Sequence, residues 1–338
     1  GVLRHFGLDP AEFEIVDDTV RMSRWQQSKG LEDGTRSTVW LHSYSARFRR
    51  ITNHLPAADV EAHAERVRRW KSSKPANGSA STSAPSTFVL GWADWQLGKT
   101  KTADTTQAVL DSFDRAVDRI RELRKVGRNV ASLAIWNMGD PCEGCSQMYA
   151  SQLSTVELNR RQQLNLALDL WATGLRALAP LFDDVQFGSV ICNHGEWTRE
   201  GGKPVTSDSD NAGGYLADTL RRVLGDRGEF AHVRWAIPHD EMTMFADMSG
   251  VPVALTHGHK MPTGSVKEVE FLRGQSIRLL REHGREPRLW FTAHRHHLNV
   301  CDFGPWTRIQ CPALDRAGSK WFTDTSGHWS TPGTLSVL

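Results

Sequence analysis

The sequence predicts a layered α/β fold. From residue 87 onward, short apolar runs alternate with longer amphipathic stretches. The early part of this region reads βαβαβ, and the later part is richer in strands. The first strand covers 87–93 (TFVLGWA). A helix follows over 104–126: Val109, Phe113, Val117, Ile120 and Leu123 recur at spacings of three and four, Asp104 stands at the N-cap, and Gly127 lies just past the end. The second strand covers 132–138. The second helix covers 154–179 and opens with a capping box of Ser154 and Glu157. A strand over 185–191 and a helix over 211–224 come next. Strands then cover 233–237, 242–246 and 251–256, a helix covers 266–283, and strands cover 289–292, 298–303 and 306–310. The tail over 318–333 (GSKWFTDTSGHWSTPG) reads as irregular.

A small α+β module precedes this body. Residues 71–86 read KSSKPANGSASTSAPS, a small and polar stretch that buries no face and acts as a flexible linker. It divides a module at 1–70 from a body at 87–338. The module holds two β-like runs, 19–26 and 38–48, joined by turn residues as a hairpin, then a polar helix over 57–70. Residues 37–74 carry eight Lys/Arg against three acids, with Trp40, Tyr44 and Phe48 interleaved. Basic and aromatic side chains together are what a nucleic-acid surface needs. The same residues also suit a solvated helix face beside a small aromatic core.

The chain has 338 residues, a net charge of +2, fourteen His and three Tyr. That charge excludes a binder driven by electrostatics alone, and the body over 75–338 is close to neutral. No apolar run approaches the roughly 18 residues of a membrane span. The chain opens on Gly1 with no signal-peptide pattern and reads as trimmed at that end. Five scattered Cys fit a reducing cytoplasm better than a disulfide framework. Cys142 and Cys145 have zinc-like spacing, but no second pair accompanies them.

The polar chemistry stands just after the strands. The first runs into Asp94-Trp95-Gln96, the second into Gly139-Asp140-x-x-Glu143, and the third into Cys192-Asn193-His194-Gly195-Glu196. Two later strands run into His257-Gly258-His259 and Ala293-His294-Arg295-His296-His297. The carboxyl ends of strands in α/β sheets are where ligands bind. Carboxylate, amide and imidazole donors suit Mn, Fe or Zn.

In order and spacing these motifs resemble the calcineurin-like metallophosphoesterases, whose pattern is D-x-H, G-D-x-x-[DE], G-N-H-[DE], H-G and G-H-x-H. The resemblance covers about residues 87–338. It implies a four-layer αββα sandwich and a phosphoester hydrolase with two divalent metal ions, Mn foremost, with Mg, Fe or Zn as alternatives. Asp94, Gln96, Asp140 and His296 would hold one ion. Asp140, Asn193, His257 and His294 would hold the other, with Asp140 as the bridge. A water held between the ions would attack phosphorus, and His194 would act as general acid. Gln96 stands where the family has His, Cys192 and Ala293 replace glycines, and Glu196 lies one residue later than the usual acid.

The stretch Asp94–Gly98 resembles the opening of SbcCD-type and phage-encoded DNA exonucleases, which implies a DNA substrate and leaves open a homodimer or an ATPase partner. A phosphomonoesterase, a small-molecule phosphodiesterase, and a catalytically degenerate nucleic-acid-binding or scaffolding protein are the alternatives. Lys99, Arg199, Arg295 and His259 are candidates for substrate contact. The remaining His residues read as ordinary, apart from His297 beside the last motif.

Overall fold

The structure, a computed structural model, describes residues 2–11, 13–16, 19–30, 36–50, 84–200, 203–204, 206–225 and 230–338. Two compact units divide the chain, Gly1–Leu55 and Pro56–Leu338. The helix expected over 57–70 and nearly all of the linker lie outside the described residues.

In the first unit, α1 (Val2–His5) precedes β1 (Phe13–Ile15), which pairs antiparallel with β4 (Phe48–Arg50). Between them β2 (Arg21–Gly30) and β3 (Arg36–Ser45) form an antiparallel ribbon in register from Arg21↔Ser45 to Gly30↔Arg36. The ribbon matches the expected hairpin and is longer at its turn end. Trp25, Trp40 and Tyr44 on it are exposed, and the Arg24 guanidinium lies 3.8 Å above the Trp40 ring.

The second unit is an αββα sandwich. Its first sheet has the order β10-β7-β6-β5-β16, built from β5 (Ser86–Trp92), β6 (Val130–Asn137), β7 (Asp184–Ser189), β10 (Val233–Ala236) and β16 (Leu335–Val337). The first four are parallel, and β16 runs against β5 at the edge. The second sheet has the order β11-β12-β13-β15-β14, from β11 (Met244–Met248), β12 (Val251–Leu255), β13 (Leu289–Thr292), β14 (Asn299–Asp302) and β15 (Thr307–Gln310). A small hairpin of β8 (Arg199–Glu200) and β9 (Lys203–Pro204) lies outside both sheets.

The two-residue period of a strand sorts the side chains into layers. Val89, Ala134, Trp136, Val253, Leu255, Phe291 and Ile309 pack between the sheets. Trp92 and Phe187, on the other face of the first sheet, meet Phe113 and Trp171 from the outer helices α2 (Thr102–Lys125) and α4 (Arg160–Leu178). Ala254 and Trp290 meet Leu272 and Leu279 of α6 (Ser265–His283) on the far side. Strands clothed on both faces explain the unbroken apolar runs.

Helix starts differ from expectation in an informative way. Asn159, not Ser154, opens the long helix: its side chain accepts from the Gln162 amide, and Gln162 reciprocates. Residues 152–155 form a separate short helix, α3 (Gln152–Thr155). The Glu157 carboxylate instead accepts from the backbone N–H groups of Lys101 and Thr102, so it caps α2. After α5 (Ala212–Leu220), the tail expected to be irregular contains α7 (Arg316–Ser326). Asp315 caps its start by accepting from Ala317 and Gly318, and Gly327 ends it at φ 72°. No helix among the described residues is long and apolar enough to cross a membrane.

Candidate metal centre

Adjacent parallel strands end side by side, and their loops are zipped together. The amides of Asp94, Gln96 and Leu97 donate to the carbonyls of Gly139, Asp140 and Pro141 at 3.0, 2.9 and 3.1 Å. This ladder aligns the loops after β5 and β6. A cross-sheet link follows: the His294 amide donates to Oδ2 of Asp94 at 3.2 Å. The loops of the second sheet thereby face those of the first.

These turns carry backbone strain where the candidate ligands stand. Asp94, Gln96, Asp140, His294 and His296 have φ between 45° and 70°, five of the eight non-glycine residues with positive φ among the described residues. Such conformations cost about 1–3 kcal/mol each when the residue is not glycine, and they gather at functional sites. Gly139, at φ 102°, is held by space as well: a Cβ there would come within 2.4 Å of Nδ1 of His257.

Ligand-capable atoms of Asp140, His257 and His294 lie within 4.8 Å of one another. Nδ1 of His257 is 2.8 Å from the Met138 carbonyl, which only accepts, so that nitrogen carries the proton. Its Nε2 then faces Oδ1 of Asn193 at 2.8 Å and Oδ2 of Asp140 at 3.1 Å. Asp94 and His296 form a neighbouring pair, with Oδ1 and Nε2 3.4 Å apart. Four of the seven candidate ligands thus converge in one cluster and two stand beside it.

The seventh, Gln96, is already engaged. Its Oε1 accepts from Nζ of Lys99 at 3.1 Å, and Lys99 also pairs with Asp315 at 3.1 Å. The Gln96 amide nitrogen lies 3.3 Å from Nε2 of His194.

The donor set fits a divalent cation. Asp94 and Asp140 are fully buried, and Oδ1 of the first and Oδ2 of the second face only Nε2 of His296 and Nε2 of His257, at 3.4 and 3.1 Å, with no other donor among the described residues. Two buried carboxylates without a cation are costly. Burial acts to raise the Asp140 carboxyl, but His257 and His194 beside it outweigh that and hold it well below the usual range. Burial acts to lower His257, and Asp140 overrides it, taking the ring up to about 9. Burial and the neighbouring His257 take His294 down to about 4 and His259 to about 2, so both rings are neutral, the form that binds metal.

His194 is held by a residue outside the expected ligand list. Its Nδ1 is 2.8 Å from the backbone carbonyl of Glu143 and 3.5 Å from the same residue's carboxylate, and its amide donates to Oδ1 of Asp140 at 3.1 Å. The Tyr149 hydroxyl donates to Oε1 of Glu143. Burial raises the Glu143 carboxyl above the usual range, against His194 and Lys99, which lower it. The backbone of Glu196, the acid in the same motif as His194, forms an isolated bridge with Asn211. The G-D-x-x-E spacing is the signal that could have assigned Glu143 this place.

The candidates for substrate contact divide. Lys99 and His259 lie at the centre: the His259 ring is 5.5 Å from that of His257 and 6.3 Å from that of His294. The Arg295 guanidinium is tied to Glu268 at 2.9 Å and to the Pro262 carbonyl at 2.9 Å. Only the backbone of Arg199, in β8, is described. His297 stacks on Phe322 at 4.2 Å. All five Cys are free thiols, and burial pushes the Cys142 thiol above its usual range.

No family model matches the chain, and no curated protein matches it. Among solved structures it is similar to Vps29 of Entamoeba histolytica complexed with zinc, at 10% identity over 67% of this chain and 74% of that one, TM-score 0.27. It is similar to an archaeal phosphodiesterase at 8% identity over 74% and 98%, TM-score 0.29. It is similar to the phosphopantetheinyl hydrolase of Mycobacterium tuberculosis at 10% identity over 75% and 96%, TM-score 0.32.

Proposed function

We propose that the chain is a metal-dependent phosphoester hydrolase of the calcineurin-like type, and that it cleaves phosphodiester bonds in DNA. The single observation that carries the hydrolase reading is the convergence of Asp140, Asn193, His257 and His294 at the strand ends, with the buried pair Asp94–His296 beside it. In this reading Asp140, Asn193, His257 and His294 hold one divalent ion, and Asp94, Asp140 and His296 hold a second, which Gln96 would join only when its Oε1 is released from Lys99. When bound, such a pair supplies a nucleophilic water at neutral pH and offsets charge on the phosphoryl oxygens. The rest is done by the chain's own groups. Met138 fixes the tautomer of His257. The Glu143 carbonyl occupies Nδ1 of His194, so Nε2, once it parts from the Gln96 amide 3.3 Å away, is the nitrogen from which a proton would pass to the leaving oxygen. Lys99, braced by Asp315, presents a cation where anionic substrate would sit.

Support for DNA comes from the Asp94–Gly98 motif and from the basic, aromatic ribbon of the first unit, where Arg24 stacks on Trp40. The near-neutral body favours a small phosphoester instead. The deciding experiment is metal content together with cleavage of bis-p-nitrophenyl phosphate and of single- and double-stranded oligonucleotides in Mn and in Mg, with Asp140→Ala as control. Cleavage of both substrate types supports the full reading. Cleavage of the small diester alone removes DNA from it. A protein that binds no metal and cleaves neither is not a hydrolase of this kind.

A further inference from the structure

Trp321 is an exposed aromatic beside the metal centre. It is 58% exposed, yet its ring centroid is 6.0 Å from that of His296, in an edge-to-face arrangement. Large apolar side chains left in water forgo the stabilisation that burial gives, and its neighbour on the same helix, Phe322, is covered by stacking on His297.

The helix that carries Trp321 is built into the wall of the site. The Asp315 amide donates to the Asp94 carbonyl at 3.2 Å, and its carboxylate both caps α7 and pairs with Lys99. Gly318 sits against the His296 ring: a Cβ there would come within 2.5 Å of Nδ1. On the other side, the Ser330 hydroxyl donates to the His296 carbonyl at 2.6 Å, and the Ser330 amide donates to Oγ1 of Thr323 at 3.2 Å. Trp321 is therefore presented from a backbone tied to the centre before and after it, not from a loose tail.

We propose that Trp321 is a stacking platform for a nucleobase joined through its sugar to the phosphate held at the metal centre, so that the substrate class is a nucleotidyl phosphoester. A sugar ring is the spacer between base and 5′-phosphate, and the edge-to-face contact of Trp321 with His296 puts a base stacked on the indole next to the centre that would hold the phosphate. The surface is open, as a face that receives an incoming base must be, and indole stacks on any base without reading its sequence. This inference rests on the phosphoester-hydrolase reading.

The test is calorimetric titration of the full, Mn-loaded chain with thymidine 5′-monophosphate and with 2-deoxyribose 5-phosphate, for the wild type, Trp321→Ala and Trp321→Phe. Stacking predicts that the nucleotide binds the wild type tighter than the sugar phosphate by roughly 5- to 100-fold. Trp321→Ala should bring that ratio close to one and leave the sugar phosphate unchanged, while Trp321→Phe keeps most of it. Equal binding of the two by the wild type, an unchanged ratio in Trp321→Ala, or an equal loss of both overturns the stacking role and leaves the hydrolase reading standing. Failure of both ligands to bind, in a chain that also takes up no Mn, overturns the two together.

Discussion

Oδ2 of Asp140 lies 3.1 Å from Nε2 of His257, with neither side chain exposed. A buried carboxylate facing an imidazole whose other nitrogen is spoken for is a cation site in which a proton stands in when no metal is present. Asp140→Ala removes the charge that both candidate ion positions share. It should reduce bound metal, measured by elemental analysis, from about two equivalents to none. Chelation should lower the wild-type melting temperature and leave that of Asp140→Ala unchanged. An ion present at a hundred times its Kd contributes about 2.7 kcal/mol, roughly 5–10 °C for a domain of this size. Full metal occupancy in the variant would remove Asp140 from the bridging position.

The same pair sets a pH dependence. Without metal, His257 keeps its proton up to about 9 because Asp140 faces it. An ion must displace that proton, so affinity should rise with pH and level off above about 9. Each unit of pH below that should weaken binding about tenfold per displaced proton. His294, at about 4, is already neutral and adds nothing between pH 6 and 8. Competition with a chelating dye at three pH values measures the slope. A slope of at least one is expected, and a flat profile contradicts the assignment.

Much of this centre was legible in the chain because a strand buried on both faces is an unbroken apolar run. The residue at which the run stops is the first one free to face a crevice. Asp94 and His257 stand at that point, and Asp140, Asn193 and His294 stand one residue beyond it. What was not legible depends on contacts between distant segments. Ser154-x-x-Glu157 and Asn159-x-x-Gln162 are equally good capping boxes locally, and only the approach of α2 recruits the Glu157 carboxylate elsewhere. The engagement of Gln96 by Lys99 depends on Asp315, 216 residues beyond Lys99. Asp315 also caps α7, which turns a tail of irregular appearance into a wall of the site.

His194 and Glu143 should behave as a unit. His194→Ala should keep bound metal and slow turnover by roughly 10²- to 10⁴-fold, the usual range for a lost general acid. The loss should be smaller on p-nitrophenyl esters, whose leaving group needs no proton. Glu143→Gln keeps the backbone carbonyl that holds Nδ1 and alters only the carboxylate 3.5 Å away, so its effect should be the smaller. The double variant should be no slower than His194→Ala alone, because residues in contact are not additive. Independent, multiplying losses in steady-state rates would separate the two residues.

Gly318 gives a test that never touches a ligand atom. It lies in α7, where alanine is intrinsically the better helix former by about 1 kcal/mol, so helix propensity alone predicts that Gly318→Ala stabilises the chain. The space beside it predicts the opposite. An added Cβ would fall 2.5 Å from Nδ1 and 2.8 Å from Cε1 of His296, and 3.1 Å from the Asp315 carboxylate that caps the helix. His296 cannot yield easily, since the Ser330 hydroxyl holds its carbonyl and Asp94 faces its other ring nitrogen. Overpacking of this kind costs about 1–3 kcal/mol, which outweighs the propensity gain over most of that range. Gly318→Ala should therefore lower the melting temperature and weaken the ion assigned to Asp94 and His296, while the ion assigned to Asp140, Asn193, His257 and His294 is retained. Metal analysis should fall from about two equivalents toward one. A variant that melts higher and keeps both ions would show that α7 is free to move away from His296, and would detach the wall carrying Trp321 from the centre.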